Sequence, residues 1–328
     1  MKILFLIHIF IFINLDFVIS DELTFDIKRA MDFLFYQKVS YCPSQSIEQW
    51  DCGTICKFHY DMKDVRVLTN STNAAQGYIG YHNNYIVIAF RGTQLNKNWL
   101  NNFDLIKVNY PKCQKCTIHR GFFRTYIDLS DQMFTNLQDM LIKYPNSQII
   151  ITGHSLGGAV ATIAAVEIQE FLQQQNKNNL IQEFYTFGQP RVGSQEFVDY
   201  FNSIFPFALR VVNNKDIVVR LPMRIFGYAH IGTEIWFDQQ NNYSICQFLS
   251  EDPNCSIKLN TGSTSDHVKY LDNSTSCTEF DMQQNPQCYI NGENICPHLS
   301  DNQVIEKTFL KQEIPIYDSP QKIQTSIQ

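Results

Sequence analysis

The stretch that decides the fold is Gly153-His154-Ser155-Leu156-Gly157-Gly158. An apolar run at 149–151 leads into it, and small residues at 159–165 follow with a helical pattern. Strand, sharp turn and helix are the context that a G-x-S-x-G nucleophile elbow requires. Glycines two positions before and after the serine remove Cβ atoms where strand and helix crowd each other, so a strained turn can present the serine oxygen. The stretch therefore predicts Ser155 as a nucleophile.

Strand and helix signals alternate on both sides of this stretch. Strands are predicted at 77–81, 85–90, 181–187 and 207–212, and helices at 22–38, 121–143, from the elbow to about 173, and around 194–201. Such alternation indicates an α/β architecture with a largely parallel sheet. We expect one domain over 21–300 and a C-terminal extension at 301–328, whose polar end we expect to be poorly ordered.

The N-terminus of the 328-residue chain has the pattern of a secretory signal peptide. Lys2 precedes a mostly apolar stretch, and the small residue Ser20 ends it, so we expect cleavage of residues 1–20. The alternative is a membrane anchor, but His8, Asn14 and Asp16 interrupt the run. The sequence thus predicts a secreted protein, outside the cell or in the lumen of a secretory or digestive compartment, with no transmembrane segment in the mature chain.

The ten cysteines all follow the signal and predict disulfide bonds, although spacing leaves their connectivity open. The pairs Cys52/Cys56 and Cys113/Cys116 could alternatively indicate zinc, which we disfavour because matching Cys/His pairs are missing from the sequence. The formal net charge of −6 argues against nucleic acid as a partner. Four N-x-[ST] sequons permit glycosylation, at Asn70, Asn242, Asn254 and Asn273.

A serine nucleophile needs a general base, and the base needs an orienting acid. On an α/β-hydrolase sheet the order along the chain is Ser, then Asp or Glu, then His. Asp216 follows an apolar strand, where it is either that acid or a loop-capping residue. His230, His267 and His298 are the downstream histidines, and spacing alone favours His267 only modestly.

Several further blocks, in order over about 60–272, give the chain a resemblance to the fungal-type secreted lipases, or class 3 lipases. An oxyanion-loop motif, the opening of a helix, the elbow, a strand end, an aspartate block and a histidine block all match. These blocks are Phe90-Arg91-Gly92-Thr93, His119-Arg120-Gly121-Phe122, residues 153–158, residues 187–193, residues 212–218 and Asp266-His267-Val268-Lys269-Tyr270.

The resemblance implies an α/β-hydrolase fold with Ser155 as nucleophile, Asp216 as acid and His267 as base. It makes His230 a structural histidine. The oxyanion donors would be the backbone amide of Leu156, the residue after the nucleophile, and Thr93. No cofactor, metal or protein partner is implied.

The segment directly after Thr93 resembles the lid of similar lipases. Leu95, Trp99 and Phe103 share one helical face, and we expect them to contact lipid substrate at a lipid–water interface. The alternative is an ordinary surface helix. The expected function is hydrolysis of carboxylic esters of lipids, as in a triacylglycerol lipase. A phospholipase A1 or galactolipase, a non-lipid esterase, and a catalytically silent lipid-binding protein are the alternatives.

Overall fold

The computed structural model describes residues 24–72, 74–93, 105–248 and 251–277, together with three two-residue strands nearer the C-terminus. The predicted signal peptide and lid lie outside the described residues. Among the residues that are described, no helix has both the length and the apolar character needed to cross a membrane.

The main sheet has eight strands in the order β1-β2-β3-β6-β7-β8-β9-β10. Strands β3, β6, β7, β8 and β9 run parallel, whereas β1, β2 and β10 join antiparallel at the two edges. The strands β4 and β5 form a separate antiparallel pair. The strands of this sheet and this pair are β1 (Lys63–Asn70), β2 (Ala75–His82), β3 (Tyr85–Phe90), β4 (Lys107–Asn109), β5 (Thr117–His119), β6 (Gln148–His154), β7 (Ile181–Phe187), β8 (Leu209–Asn213), β9 (Thr233–Phe237) and β10 (Tyr243–Ile245).

In the part of the chain that is described, six α-helices accompany the sheet: α1 (Ile27–Val39), α2 (Ser44–Glu48), α3 (Thr54–Lys57), α4 (Arg120–Lys143), α5 (Leu156–Gln174) and α6 (Gln195–Ile204). Helix α1 begins at Ile27 rather than at 22, because the Asp26 carboxylate accepts hydrogen bonds from the amides of Lys28 and Arg29. The strands β1, β4, β5 and β10 and the short helices α2 and α3 were not predicted, and the elements that were predicted lie within a few residues of their observed bounds.

Alternate side chains of the central strands fill two cores, one on each face of the sheet. On β6, Ile149 and Ile151 pack into the core beneath α4, α5 and α6, whereas Ile150 packs into the core beneath α1. This alternation is the two-residue period of a strand that is buried on both faces. The sheet is therefore covered on both sides, and on such sheets a site forms at the carboxyl ends of the parallel strands.

Four disulfides join eight of the ten cysteines: Cys42–Cys277, Cys52–Cys56, Cys113–Cys116 and Cys246–Cys255. The two pairs that could have indicated zinc are thus disulfide-bonded. Cys288 and Cys296 lie outside the described residues. Near the C-terminus, the two-residue strand Ile314–Pro315 pairs antiparallel with β11 (Thr261–Gly262).

Candidate active site

Ser155 lies in the turn between β6 and α5, in a backbone conformation that side-chain-bearing residues rarely adopt. Its φ is 58° and its ψ is −132°. Such a conformation costs of order 1–3 kcal/mol, and surrounding packing must hold it. A Cβ atom at Gly157 would lie 2.2 Å from the Phe90 carbonyl oxygen, so only glycine lets the first turn of α5 pack this closely on β3. The glycine spacing of the motif therefore has the predicted steric cause.

The structure brings Ser155, His267 and Asp216 together. The His267 Nε2 atom lies 2.8 Å from the Ser155 hydroxyl oxygen, and its Nδ1 atom lies 2.8 Å from Asp216 Oδ2. Asp216 follows β8, and His267 lies in a 3₁₀ turn at Asp266–Val268. Ser155, His267 and Asp216 are 3%, 1% and 0% exposed, so the three groups interact with little competition from water.

The hydrogen bonds fix the tautomer of the His267 imidazole. A carboxylate only accepts, so the Nδ1 atom of His267 carries the proton that faces Asp216. The Nε2 atom is then an acceptor for the Ser155 hydroxyl. This arrangement can move a proton from the serine to the imidazole when the serine attacks an electrophile.

The Asp216 carboxylate is held by three donors. Besides His267, the Tyr270 hydroxyl donates to Oδ2 at 2.5 Å, and the Val218 amide donates to Oδ1 at 2.8 Å. Burial, and then the Asp216 carboxylate, raise the pKa of Tyr270 well above its ordinary value, so the phenol stays a donor. Backbone bonds from Ser263 to Lys215 (2.7 Å) and from Ile217 to Ser263 (3.2 Å) tie the aspartate loop to the histidine loop.

The end of β3 approaches the serine closely. A Cβ atom at Gly92 would lie 2.9 Å from Ser155 Cβ, and Thr93 is the next residue along the chain. Leu156 begins α5, and the Ser155 side chain makes no capping hydrogen bond to that turn. The amides of a helix N-terminus favour negative charge, so this corner suits an anionic oxygen.

His230 is separate from this group. Its Nε2 atom lies 2.6 Å from the Val219 carbonyl oxygen, and burial, reinforced by nearby Arg210 and Arg191, lowers its pKa well below the ordinary value. The aromatic residues Phe122 and Tyr126 are core residues of α4. His298, Leu95, Trp99 and Phe103 lie outside the described residues.

Sequence reasoning missed the contacts that three residues make around the site: Tyr270, Tyr41 and His154. Tyr270 lies three positions after His267 in the same sequence block, which was a usable signal. His154 directly precedes Ser155, but its Nδ1 atom contacts Tyr41, which comes from the segment after α1 and has no motif of its own.

Among the described residues, one group has metal-ligand spacing: Glu234, Cys246 and Cys255. The two cysteines form a disulfide with each other, so their sulfur atoms are not thiolates and do not suit a metal ion.

A parallel sheet with a serine in the turn after a central strand, and an acid and a histidine on loops that follow, defines the α/β-hydrolase fold. The family model for class 3 lipases matches residues 87–226. A solved triacylglycerol lipase, whose catalytic centre is described as a serine-protease triad, superposes with a TM-score of 0.68 at 30% identity, covering 76% of this chain and 95% of that one. The chain belongs to the class 3 lipase family.

Two curated relatives agree with this assignment. The lipase of Rhizomucor miehei is 32% identical over 236 residues, covering 70% of this chain and 64% of the relative. The secreted mono- and diacylglycerol lipase 1 of Fusarium solani is 26% identical over 234 residues, covering 69% of this chain and 68% of the relative. The chain thus spans less than two thirds of the length of the Rhizomucor lipase.

Proposed function

We propose that this chain is a secreted serine hydrolase that cleaves carboxylic esters of lipids, and that triacylglycerol is its main substrate class. The observation that carries the proposal is the buried Ser155–His267–Asp216 chain, with both joining distances at 2.8 Å. Membership of the class 3 lipase family and the names of the relatives support the lipid substrate.

In the first half of the reaction, the Ser155 oxygen attacks the ester carbonyl carbon. His267 Nε2 takes the hydroxyl proton, and the carbonyl oxygen becomes an oxyanion. Asp216 keeps the Nδ1 proton in place and stabilises the imidazolium that forms. Collapse of the tetrahedral intermediate breaks the bond to the alcohol, which receives the proton from His267 and leaves an acyl-serine.

The second half returns the enzyme to its starting state. His267 deprotonates a water molecule, which attacks the acyl carbon. The second tetrahedral intermediate then releases the fatty acid, and Ser155 recovers its proton from His267. Each bond that forms is matched by one that breaks, and no cofactor enters the balance.

We assign oxyanion stabilisation to the amides of Leu156 and Thr93. The support is the position of Leu156 at the start of α5 and the close approach of Gly92, the neighbour of Thr93, to Ser155. Loss of one such donor typically costs about 10²–10³ in kcat.

For substrate contact we retain the lid residues Leu95, Trp99 and Phe103 as a proposal. A lid that opens at a lipid surface exposes apolar area that the substrate then covers. Trp99→Ala should therefore lower hydrolysis of emulsified triacylglycerol more than hydrolysis of a soluble short-chain ester. Equal loss on both substrates would contradict the assignment.

We also propose one hydrolase domain over 21–300, preceded by a signal peptide at 1–20 and followed by an extension at 301–328. The apolar N-terminal stretch, the disulfides and the secreted Fusarium relative support export. N-terminal sequencing of the protein recovered from a secreting host tests this, with a first residue near Asp21 expected.

The decisive experiment compares hydrolysis of triacylglycerol, phosphatidylcholine and galactolipid emulsions by the wild type and by Ser155→Ala. Ser130→Ala is a matched control, because Ser130 is also a buried serine but lies on α4, where its hydroxyl bonds the Ile127 carbonyl. We expect fatty acid release from triacylglycerol by the wild type and the control, and none above background by Ser155→Ala.

Each other outcome overturns a part of the proposal. Preference for phosphatidylcholine or galactolipid would make the chain a phospholipase A1 or galactolipase. Cleavage of soluble esters alone would make it a non-lipid esterase. A folded wild type that binds emulsions but hydrolyses no ester would make it a lipid-binding protein.

A further inference from the structure

Three hydrogen bonds beside the catalytic group form a continuous chain. The Gly92 amide lies 3.0 Å from the Tyr41 hydroxyl oxygen, and that oxygen lies 2.8 Å from His154 Nδ1. On the other side of the ring, His154 Nε2 lies 2.7 Å from the backbone carbonyl oxygen of His267. The chain starts beside Thr93 and ends at the residue that we propose as the base.

Only one arrangement of protons satisfies these contacts with a neutral ring. The His267 carbonyl oxygen only accepts, so His154 Nε2 donates to it. A neutral imidazole carries one N–H, so Nδ1 accepts and the Tyr41 hydroxyl donates to it. The Tyr41 oxygen then accepts from the Gly92 amide. All donors therefore point the same way along the chain, from Gly92 to His267.

The ionisation states suit this arrangement. Burial, and then the neighbouring His267, lower the pKa of His154 well below its ordinary value, so the ring is neutral near pH 7. Burial raises the pKa of Tyr41, so its hydroxyl keeps its proton. His154 and Tyr41 thus hold one orientation over the pH range in which a serine hydrolase works.

The segment that carries Tyr41 is itself fixed from two sides. The Gln76 side-chain amide donates to the carbonyl oxygens of Ser40 (2.7 Å) and Cys42 (2.9 Å). Cys42 is also joined to Cys277 by a disulfide. Tyr41 therefore lies between two neighbours whose positions are fixed, so its hydroxyl is held in a defined place.

We propose that Tyr41 and His154 are positioning residues that hold the oxyanion loop, the nucleophile turn and the histidine loop in fixed positions relative to one another. The three loops come from β3, from β6 and from the segment after β11, and each contributes one member to the chain of bonds. The His154 ring also packs against the His267 ring, with centroids 4.5 Å apart, so His154 acts through the proposed base rather than on the substrate. This inference rests on the proposed serine-hydrolase function.

If the three loops lose their relative positions, kcat should fall rather than KM rise. The reacting groups are then displaced, whereas the surface that binds the substrate is unchanged. Tyr41→Phe removes one hydroxyl from a buried chain, and we expect kcat to fall about 10-fold. His154→Leu removes both ring contacts, and we expect a fall of about 100-fold. His154→Gln retains an amide donor for the His267 carbonyl and should recover part of that loss.

The matched control is Tyr78→Phe. Tyr78 is fully buried on β2, and its hydroxyl donates at 2.9 Å to the Tyr36 carbonyl, which is not a member of the chain of bonds. The substrate is the soluble ester p-nitrophenyl butyrate, and kcat is obtained by dividing the maximal rate by the concentration of reactive serine, titrated with a fluorophosphonate. Thermal melting is measured on the same samples, so misfolded protein does not count as lost activity.

The inference is supported when Tyr41→Phe and His154→Leu lose kcat at nearly constant KM, His154→Gln recovers part of it, and Tyr78→Phe loses only thermal stability. A Tyr41→Phe variant with the kcat of Tyr78→Phe, in a preparation whose Ser155→Ala variant is inactive, overturns the inference alone. A wild type without any ester hydrolysis overturns the proposed function instead.

Discussion

Tyr270→Phe tests how the buried Asp216 charge is stabilised. The variant removes the hydroxyl that donates to Asp216 Oδ2 at 2.5 Å and leaves the donors of His267 and Val218, both at 2.8 Å. Asp216 and Tyr270 are 0% and 1% exposed, so water does not replace the lost donor. The buried carboxylate is then left with two of its three donors.

Hydrogen bonds to charged groups contribute about 1.5–3 kcal/mol to the free energy of unfolding. At roughly 2–4 °C per kcal/mol for a domain of this size, the melting temperature should fall by about 3–12 °C. Catalysis should be affected less, because the His267–Asp216 hydrogen bond and the carboxylate charge both remain. We expect kcat within about 3-fold of the wild type.

The assay combines urea unfolding, which gives the free energy, with kcat on a soluble short-chain ester. Tyr78→Phe is again the control, because its hydroxyl donates to a neutral carbonyl and its loss should cost about 0.5–1.5 kcal/mol. If Tyr270→Phe were no less stable than Tyr78→Phe, the charge-stabilising role would be wrong. A 100-fold loss of kcat at unchanged stability would instead make Tyr270 part of the proton transfer.

Three further outcomes are expected. Asp216→Asn should lower kcat about 10³–10⁴-fold at similar thermal stability, and a loss below 10-fold would remove it from the catalytic group. The Arg191–Glu251 pair (2.6 Å) is buried: burial by itself would raise the pKa of Glu251, but the Arg191 hydrogen bond overrides it and the pKa is lowered. Because the pKa of Glu251 is lower in the folded state than in the unfolded state, the pair stabilises the fold above pH about 4.5, and this contribution declines as the pH falls further. In Arg191→Met, the free energy of unfolding should therefore depend less steeply on pH in this acidic range. Replacing Cys42 and Cys277 together by serine should cost about 2–5 kcal/mol in unfolding free energy, and an unchanged value would show that the bond constrains little.

Local patterns in the sequence predicted most of the fold. The apolar run at 149–151 and the small residues at 159–165 correctly predict β6 and α5, because a strand buried on both faces and a helix packed on it each require such residues. The strand β1 escaped prediction because it is an edge strand. Val65 and Leu68 are its only buried residues, so it has no apolar run.

The site was only partly open to sequence reasoning. Spacing left three histidines as candidates, and the choice of His267 came from the resemblance of its block to a known family. The structure shows that His230 bonds a backbone carbonyl and that the His267 ring faces both Ser155 and Asp216.

What the sequence determined by itself is the serine turn, the α/β alternation and the order of the serine, acid and histidine blocks, because each depends on neighbouring residues. Contacts across long separations belong to the tertiary structure. His267 is 112 positions from Ser155, and Tyr41 is 113 positions from His154. Such contacts depend on strand order and on where loops cross the end of the sheet, which periodicity does not encode. The glycine-flanked turn therefore predicted Ser155 as the nucleophile, and only the folded chain determined which groups contact it.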